Sequence, residues 1–282
     1  MPIFNIKIMK KIFALLITLV ITQVNLVIAL NPVRTYSVKP SDFGMNYEEI
    51  KIKTDDGLLL NAWYFPSSQT SYKIMVLSDD GNGNMSDLME QVSVFLSLGY
   101  HVLAYDYRGF GTSSDFEIKP NFYIYSQFQK DLNSVVDYLK KEKTSIPKIH
   151  LYGVGMGAGL SIAVGANRNL GTIIADSPYT TFELAKTRLK EAKNIDVMVP
   201  LGYNKVECEP KYALESKGGQ LSSVLYIVGD KDLVYTPKDI KELIKIRSSI
   251  SSIYVVKNSN GDNNLLVDKE KYLAEIKSFL KL

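Results

Sequence analysis

The stretch Lys148-Ile149-His150-Leu151-Tyr152-Gly153-Val154-Gly155-Met156-Gly157-Ala158 constrains the fold of this chain more than any other. A β-branched and aromatic run meets a glycine cluster, and small residues follow over 159–167. That pattern predicts a strand, a sharp turn and a buried helix. A turn of this shape serves two chemistries. It presents a nucleophilic hydroxyl at its centre in the pattern Gly-x-Ser-x-Gly, or it wraps a phosphate in the pattern Gly-x-Gly-x-x-Gly/Ala. Under the first pattern the centre is Gly155, and the serine is absent.

The rest of the chain supplies a sheet for this turn to sit in. Residues 47–53 and 58–65 read as a first hairpin, and buried strands follow at 73–78, 101–107, 148–154, 172–176, 224–229 and 253–256. Helical patterns lie between them at 85–98, 125–141, 159–167, 182–192, 238–246 and 269–280. In the second of these, Phe128, Leu132, Val135, Val136 and Leu139 fall on one face. Alternation of this kind implies an α/β fold with a largely parallel sheet covered on both faces. Its functional loops then lie at the strands' carboxyl ends. Two stretches stand outside the alternation: residues 30–44 read as a polar linker, and 179–223 is too long for an ordinary loop and reads as a cap insertion.

At 282 residues the chain suits one large domain, placed at 45–282. A net charge of +3 with lysines spread among acids gives no nucleic-acid footprint. The single cysteine, Cys208, excludes an internal disulfide and a Cys-based zinc site, and two histidines, His101 and His150, exclude a His-rich metal site. No cofactor is implied. Lys10-Lys11, an apolar run over 12–21 and the short residues of Val27-Ile28-Ala29 predict a targeting segment over 1–29, cut after Ala29. Export to a periplasm-like compartment or secretion follows. The rival reading is an uncleaved membrane anchor over 12–30.

At this point the sequence resembles the α/β-hydrolases, the broad serine-hydrolase group of esterases and acyl hydrolases, from about residue 45 onward. Asp106-Tyr107-Arg108-Gly109-Phe110-Gly111-Thr112-Ser113 matches the family's Asp-x-Arg-Gly-x-Gly-x-Ser loop. Gly153-Val154-Gly155-Met156-Gly157 sits where the family has its nucleophile elbow, and Gly229-Asp230-Lys231-Asp232-Leu233-Val234 matches the loop that carries the triad acid. Asn260-Gly261-Asp262 falls where the family has Gly-His, and Asp80-Gly81-Asn82 where its oxyanion loop stands. The resemblance thus assigns Gly155 to the nucleophile position, Asp232 to the acid and Asp262 to the base. It also implies an oxyanion-type nest from Met156 with Gly81 or Asn82, and ligand contacts from Asp80 and Tyr179.

A serine hydrolase needs an activated hydroxyl, a base for its proton and an acid to orient the base. Here only the acid remains. His150 lies five residues before Gly155 on the same strand, about 16 Å away at ~3.3 Å per residue, and His101 begins its own strand. Ser161, Ser177 and Cys208 read more simply as structural residues. Glycine occupies strained backbone angles without the penalty of a Cβ, so Gly155 is expected at such angles. The function expected is a catalytically inactive module that binds a small apolar or acyl ligand, or a partner protein. The alternatives are an esterase, acyl hydrolase or peptidase using other residues, and a dinucleotide-binding protein built on Gly153-x-Gly155-x-x-Ala158 with Asp176. A calcium site between Asp232 and Asp262 is a further possibility.

Overall fold

The computed structural model describes residues 29–217 and 220–282. The expected targeting segment lies outside them, save for Ala29. Eight strands form one sheet: β1 Glu48–Lys53, β2 Leu59–Phe65, β3 Lys73–Ser78, β4 His101–Tyr105, β5 Lys148–Val154, β6 Leu170–Asp176, β7 Leu221–Gly229 and β8 Ser251–Val256. Their spatial order is β8-β7-β6-β5-β3-β4-β2-β1, antiparallel at β1–β2 and β2–β4 and parallel elsewhere. The α/β fold read from the alternation is the fold observed.

The helices are α1 Met89–Ser97, α2 Gln127–Glu142, α3 Gly155–Asn167, α4 Phe182–Lys193, α5 Lys205–Cys208, α6 Pro210–Lys217, α7 Pro237–Ile246, α8 Asn264–Val267 and α9 Lys269–Leu280. All five apolar residues expected on one face of α2 are buried. A short 3-10 turn, Met85–Leu88, precedes α1, because Asn84 and Asp87 cap each other there. α3 is buried from Gly155 to Ala166, which is why its residues are small. Apolar side chains fill both faces of the sheet.

Because β3 lies between β5 and β4, the chain leaves β3 in one direction and later returns to its other side. The crevice beyond the carboxyl ends of β3 and β5 is therefore a topological switch point, where open α/β sheets place ligands. Ser78 pairs with Gly153 in register, so the loop after β3 and the turn before α3 start level with each other.

Two expected boundaries are corrected. Residues 30–44 are no free linker. Asn31–Pro32 pairs in parallel with Asn82–Gly83, Leu30 is fully buried, and Asn84 Nδ2 donates to the carbonyls of Val33 and Thr35 at 3.0 and 2.9 Å. Tyr36 donates to Asp106 Oδ2 at 2.6 Å. The stretch that reads as solvated linker is held by these long-range bonds, most of them through its backbone. The stretch 179–223 is only partly a cap, since α6 packs against α3 as an ordinary helical layer. Its first part, α4 and the chain after it, does overlie the crevice. There it is tied by main-chain bonds of Met198 to Asn121 and Tyr123.

Among the described residues no helix is long and apolar enough to cross a membrane.

Candidate functional site

Gly155 has φ +52°, the left-handed turn that the sequence predicts for the centre of an elbow. The flanking glycines answer a different demand. A Cβ on Gly157 would lie 2.4 Å from the Ser78 carbonyl oxygen, and one on Gly153 would lie 2.3 Å from the Gly157 carbonyl. The turn is pressed against backbone on both sides, whatever its chemistry. At Gly155 a Cβ would meet only Asp80, whose Cβ would lie 3.1 Å away.

A cavity of about 320 Å³ opens above Gly155. Asp80 and Asn82 come to it from the loop after β3, Val154 and Gly155 from the turn, and Ser177 from the end of β6. Leu189 and Lys193 of α4 form the roof with Ile195. Asp232, Val234 and Tyr235 follow β7, Asn260, Gly261 and Asp262 follow β8, and Tyr123 and Ala29 close the rim. The structure therefore brings Gly155, Asp80, Asn82, Asp232 and Asp262 together, as the resemblance implies.

The acid position is intact as a receptor. Asp232 Oδ1 accepts the N–H groups of Val234 and Tyr235, each at 2.9 Å, while Oδ2 is buried without a partner. Gly261 sits directly against that free oxygen, where a Cβ would lie 2.0 Å from it. Burial raises the pKa of the Asp232 carboxyl above the usual range, and Asp262 adds to the rise. Asp262 itself points outward, its side chain 68% exposed and 3.6 Å from Lys193 Nζ. Among the described residues no group of three or more acids, histidines or cysteines is placed to hold a metal, which leaves the calcium reading without a ligand set.

The oxyanion-type nest is corrected. Gly81 N–H donates to Asp79 Oδ1 and Asn82 N–H to Asp80 Oδ1, both at 2.8 Å, so the two loop donors are already taken by carboxylates. Met156 lies in the first turn of α3, where backbone N–H groups have no partner within the helix. Asp79 is buried, and burial together with the neighbouring Asp80 charge raises its pKa well above the ordinary carboxylate range.

Tyr179 is corrected as well. It does not reach the cavity; its hydroxyl donates to the Cys208 carbonyl at 2.6 Å, and its ring packs on Gly159, where a Cβ would lie 2.1 Å away. The aromatic residues of the site are Tyr123 and Tyr235, whose hydroxyls lie 3.2 Å apart. Nothing in their sequence surroundings marks them.

Among the described residues neither histidine bonds to Ser161, Ser177 or Cys208. Ser161 is fully buried in α3, and burial pushes the Cys208 thiol up to about 12. Ser177 lines the cavity at φ +52°, but its hydroxyl oxygen contacts Asp176, Gly261 and Asn264, and no imidazole. His101 binds Tyr64 and Ser67, and His150 binds Thr172 N–H, both at the opposite end of the sheet. The dinucleotide reading fails on Asp176, which is buried and committed to Asn264 and Tyr272.

The Asp106 loop contributes architecture rather than chemistry. Asp106 Oδ1 accepts Met85 N–H at 2.8 Å, and Ser113 Oγ donates to the Asp106 carbonyl while accepting Asn61 N–H. Arg108 is 2% exposed and spans Asp131 of α2 and Asp56 of the β1–β2 turn.

Strand order, elbow and acid loop define the α/β-hydrolase fold. Comparison with known proteins agrees. Residues 71–194 match the family described as serine aminopeptidase, S33. An uncharacterized Mycobacterium tuberculosis protein is 25% identical over 236 residues, covering 82% of this chain and 78% of its own length. The bem46 protein of Schizosaccharomyces pombe is 24% identical, over 70% of this chain and 64% of that protein. Among solved structures, the Pyrococcus furiosus esterase Pf2001 superposes with a TM-score of 0.71 at 19% identity, covering 89% of this chain and 96% of the esterase.

Proposed function

We propose that this protein is a hydrolase-fold module that works by binding and not by turnover. One observation carries the reading: of the three triad positions only Asp232 is chemically equipped, and its Oδ2 is buried with no donor to orient. A hydroxyl at position 155 would find no imidazole, because both histidines of the chain are structural residues at the far end of the sheet. The filling of the 81–82 donors by Asp79 and Asp80 adds to this, since developing oxyanion charge would meet carboxylates instead of free N–H groups. The pattern of residues 10–29 supports a location outside the cytoplasm, after cleavage or on an anchor. N-terminal sequencing of the protein recovered from the cell envelope decides between the two.

The purified protein should release no p-nitrophenol from short or medium esters, and a fluorophosphonate probe should leave it unlabelled. A covalent acyl or phosphonyl adduct anywhere around the cavity overturns the binding reading.

Gly155→Ser tests the same point from the other side. The new Cβ must adopt φ near +52° and press on Asp80, so the variant should lose about 1–3 kcal/mol of stability, read as a lower Tm. It should gain no esterase activity. A variant both fully stable and hydrolytic would show that the serine was the only part missing.

A further inference from the structure

The junction between Ala29 and Leu30 bears on where this domain works. Ala29 lines the rim of the cavity, and its N–H donates to the Pro120 carbonyl at 2.7 Å. Leu30 is fully buried, and Asn31–Pro32 pairs with Asn82–Gly83. The bond that the expected cut would break is thus built into the domain. Cutting after Ala29 removes a rim residue with its hydrogen bond. It also leaves a charged amine on a residue with no exposed surface, a position that disfavours charge. The fold suits a chain that continues past residue 29 toward its N-terminus.

That continuation is apolar. Residues 12–28 contain the run 12–21 and reach the lower end of membrane-spanning length, about 17 residues. They end against Ala29, so an anchor there meets the domain at the cavity rim. Even the end of the unbroken run, Ile21, is eight residues from Ala29, at most about 28 Å at ~3.5 Å per residue. The surface at this point is apolar too. Pro120 is exposed beside Ala29, and Met198, 48% exposed, bonds through its main chain to Asn121 and Tyr123. Leu201 follows; at 94% it is the most exposed large apolar residue among the described residues. A single exposed leucine is ordinary. One that stands with Met198 at the entry point of an apolar segment has a defined neighbour. Lys119 adjoins Pro120, and a lysine at a membrane surface keeps its ammonium in the headgroup layer.

We propose that residues 12–28 remain as a membrane anchor and that the domain rests on the bilayer through the surface formed by Pro120, Met198 and Leu201. The proposal rests on the anchor reading above and shortens it, because Ala29 and Leu30 belong to the fold. The cavity rim at Ala29 then lies at the membrane surface, and an apolar or acyl ligand reaches it from the lipid. The amino ends of the strands, with Tyr72 just ahead of β3, face the aqueous side.

Electron paramagnetic resonance on the full chain in phosphatidylcholine–phosphatidylglycerol vesicles tests this. A nitroxide is attached at Leu201→Cys or, at the opposite end of the sheet, at Tyr72→Cys, a residue 66% exposed. The buried Cys208 is replaced by alanine in both, and circular dichroism checks that the fold is retained. The label at 201 is expected to relax several-fold more with oxygen, which partitions into lipid, than with a water-soluble nickel chelate. The label at 72 should show the reverse. N-terminal sequencing of the protein recovered from the cell envelope is expected to read residues ahead of Ala29. A chain that begins at Leu30 overturns the anchor. An intact chain whose label at 201 is as open to the chelate as that at 72, or in which both labels are shielded from it, overturns the docking surface. None of these results bears on the absence of turnover, which the ester and phosphonate assays test separately.

Discussion

Replacing Arg108 with alanine is expected to destabilise the protein by about 3–5 kcal/mol, a larger loss than any substitution in the cavity. The guanidinium is 2% exposed and makes a fork of bonds. Nε and Nη2 donate to Asp131 Oδ1 at 2.9 and 2.7 Å, and Nη1 and Nη2 donate to Asp56 at 2.7 and 3.1 Å. Asp131 is fully buried, so removing Arg108 leaves a carboxylate with no counter-charge and no water. Only the Arg108 backbone N–H would remain as its donor, at 3.0 Å. Asp56 is partly solvated and should suffer less. The Arg108 bonds hold the Asp56 carboxyl down at about 2. Arg108→Lys should recover little, because a point charge cannot serve two carboxylates through five fixed donors. Urea unfolding of both variants reads the effect. A loss below about 1 kcal/mol for Arg108→Ala would mean that the network contributes no net stability.

The second large effect is an acid limb set by His150. Its ring is buried, Nδ1 accepts Thr172 N–H at 3.0 Å, and Nε2 has no partner. Burial, with Lys73 and Lys148 nearby, pushes its pKa down to about 4. An unfolded histidine titrates near 6.5, so between roughly pH 6.5 and 4 the unfolded chain binds the extra proton. Stability from this site is fully present above that window and falls as the pH drops through it, by about 3 kcal/mol at pH 4. Asp106 and Asp176 work in the opposite direction. Burial holds each at about 6, so the folded state binds their protons first and both favour folding at acid pH. The wild-type profile sums these slopes, and His150→Gln isolates one of them. Unfolding free energies at pH 7, 5.5 and 4 should differ less in the variant by that ~3 kcal/mol. Parallel curves would show that the ring is protonated inside the fold.

Arg108 and His150 also show what a motif means. The Asp106 to Ser113 pattern points to a family, yet its side-chain bonds here build the loop and tie it to Tyr36, to α2, to the β1–β2 turn and to the turn after β3. It reports fold. The elbow glycines divide in the same way: Gly153 and Gly157 are demanded by backbone contact, Gly155 by its φ alone.

Local pattern determined most of this protein before any coordinates. The order of strands and helices, the glycine turn at 153–157 and the loop that carries Asp232 are properties of neighbouring residues: apolar period, glycine spacing and the identity of single side chains. Only the tertiary structure decided the partners. It turned 30–44 from a linker into a strap, filled the 81–82 donors with Asp79 and Asp80, removed Tyr179 from the cavity and put Tyr123 and Tyr235 there. Each of these depends on which distant groups satisfy a buried donor, acceptor or ring face. Hydrogen-bond satisfaction is settled across the whole fold and leaves no period in the chain.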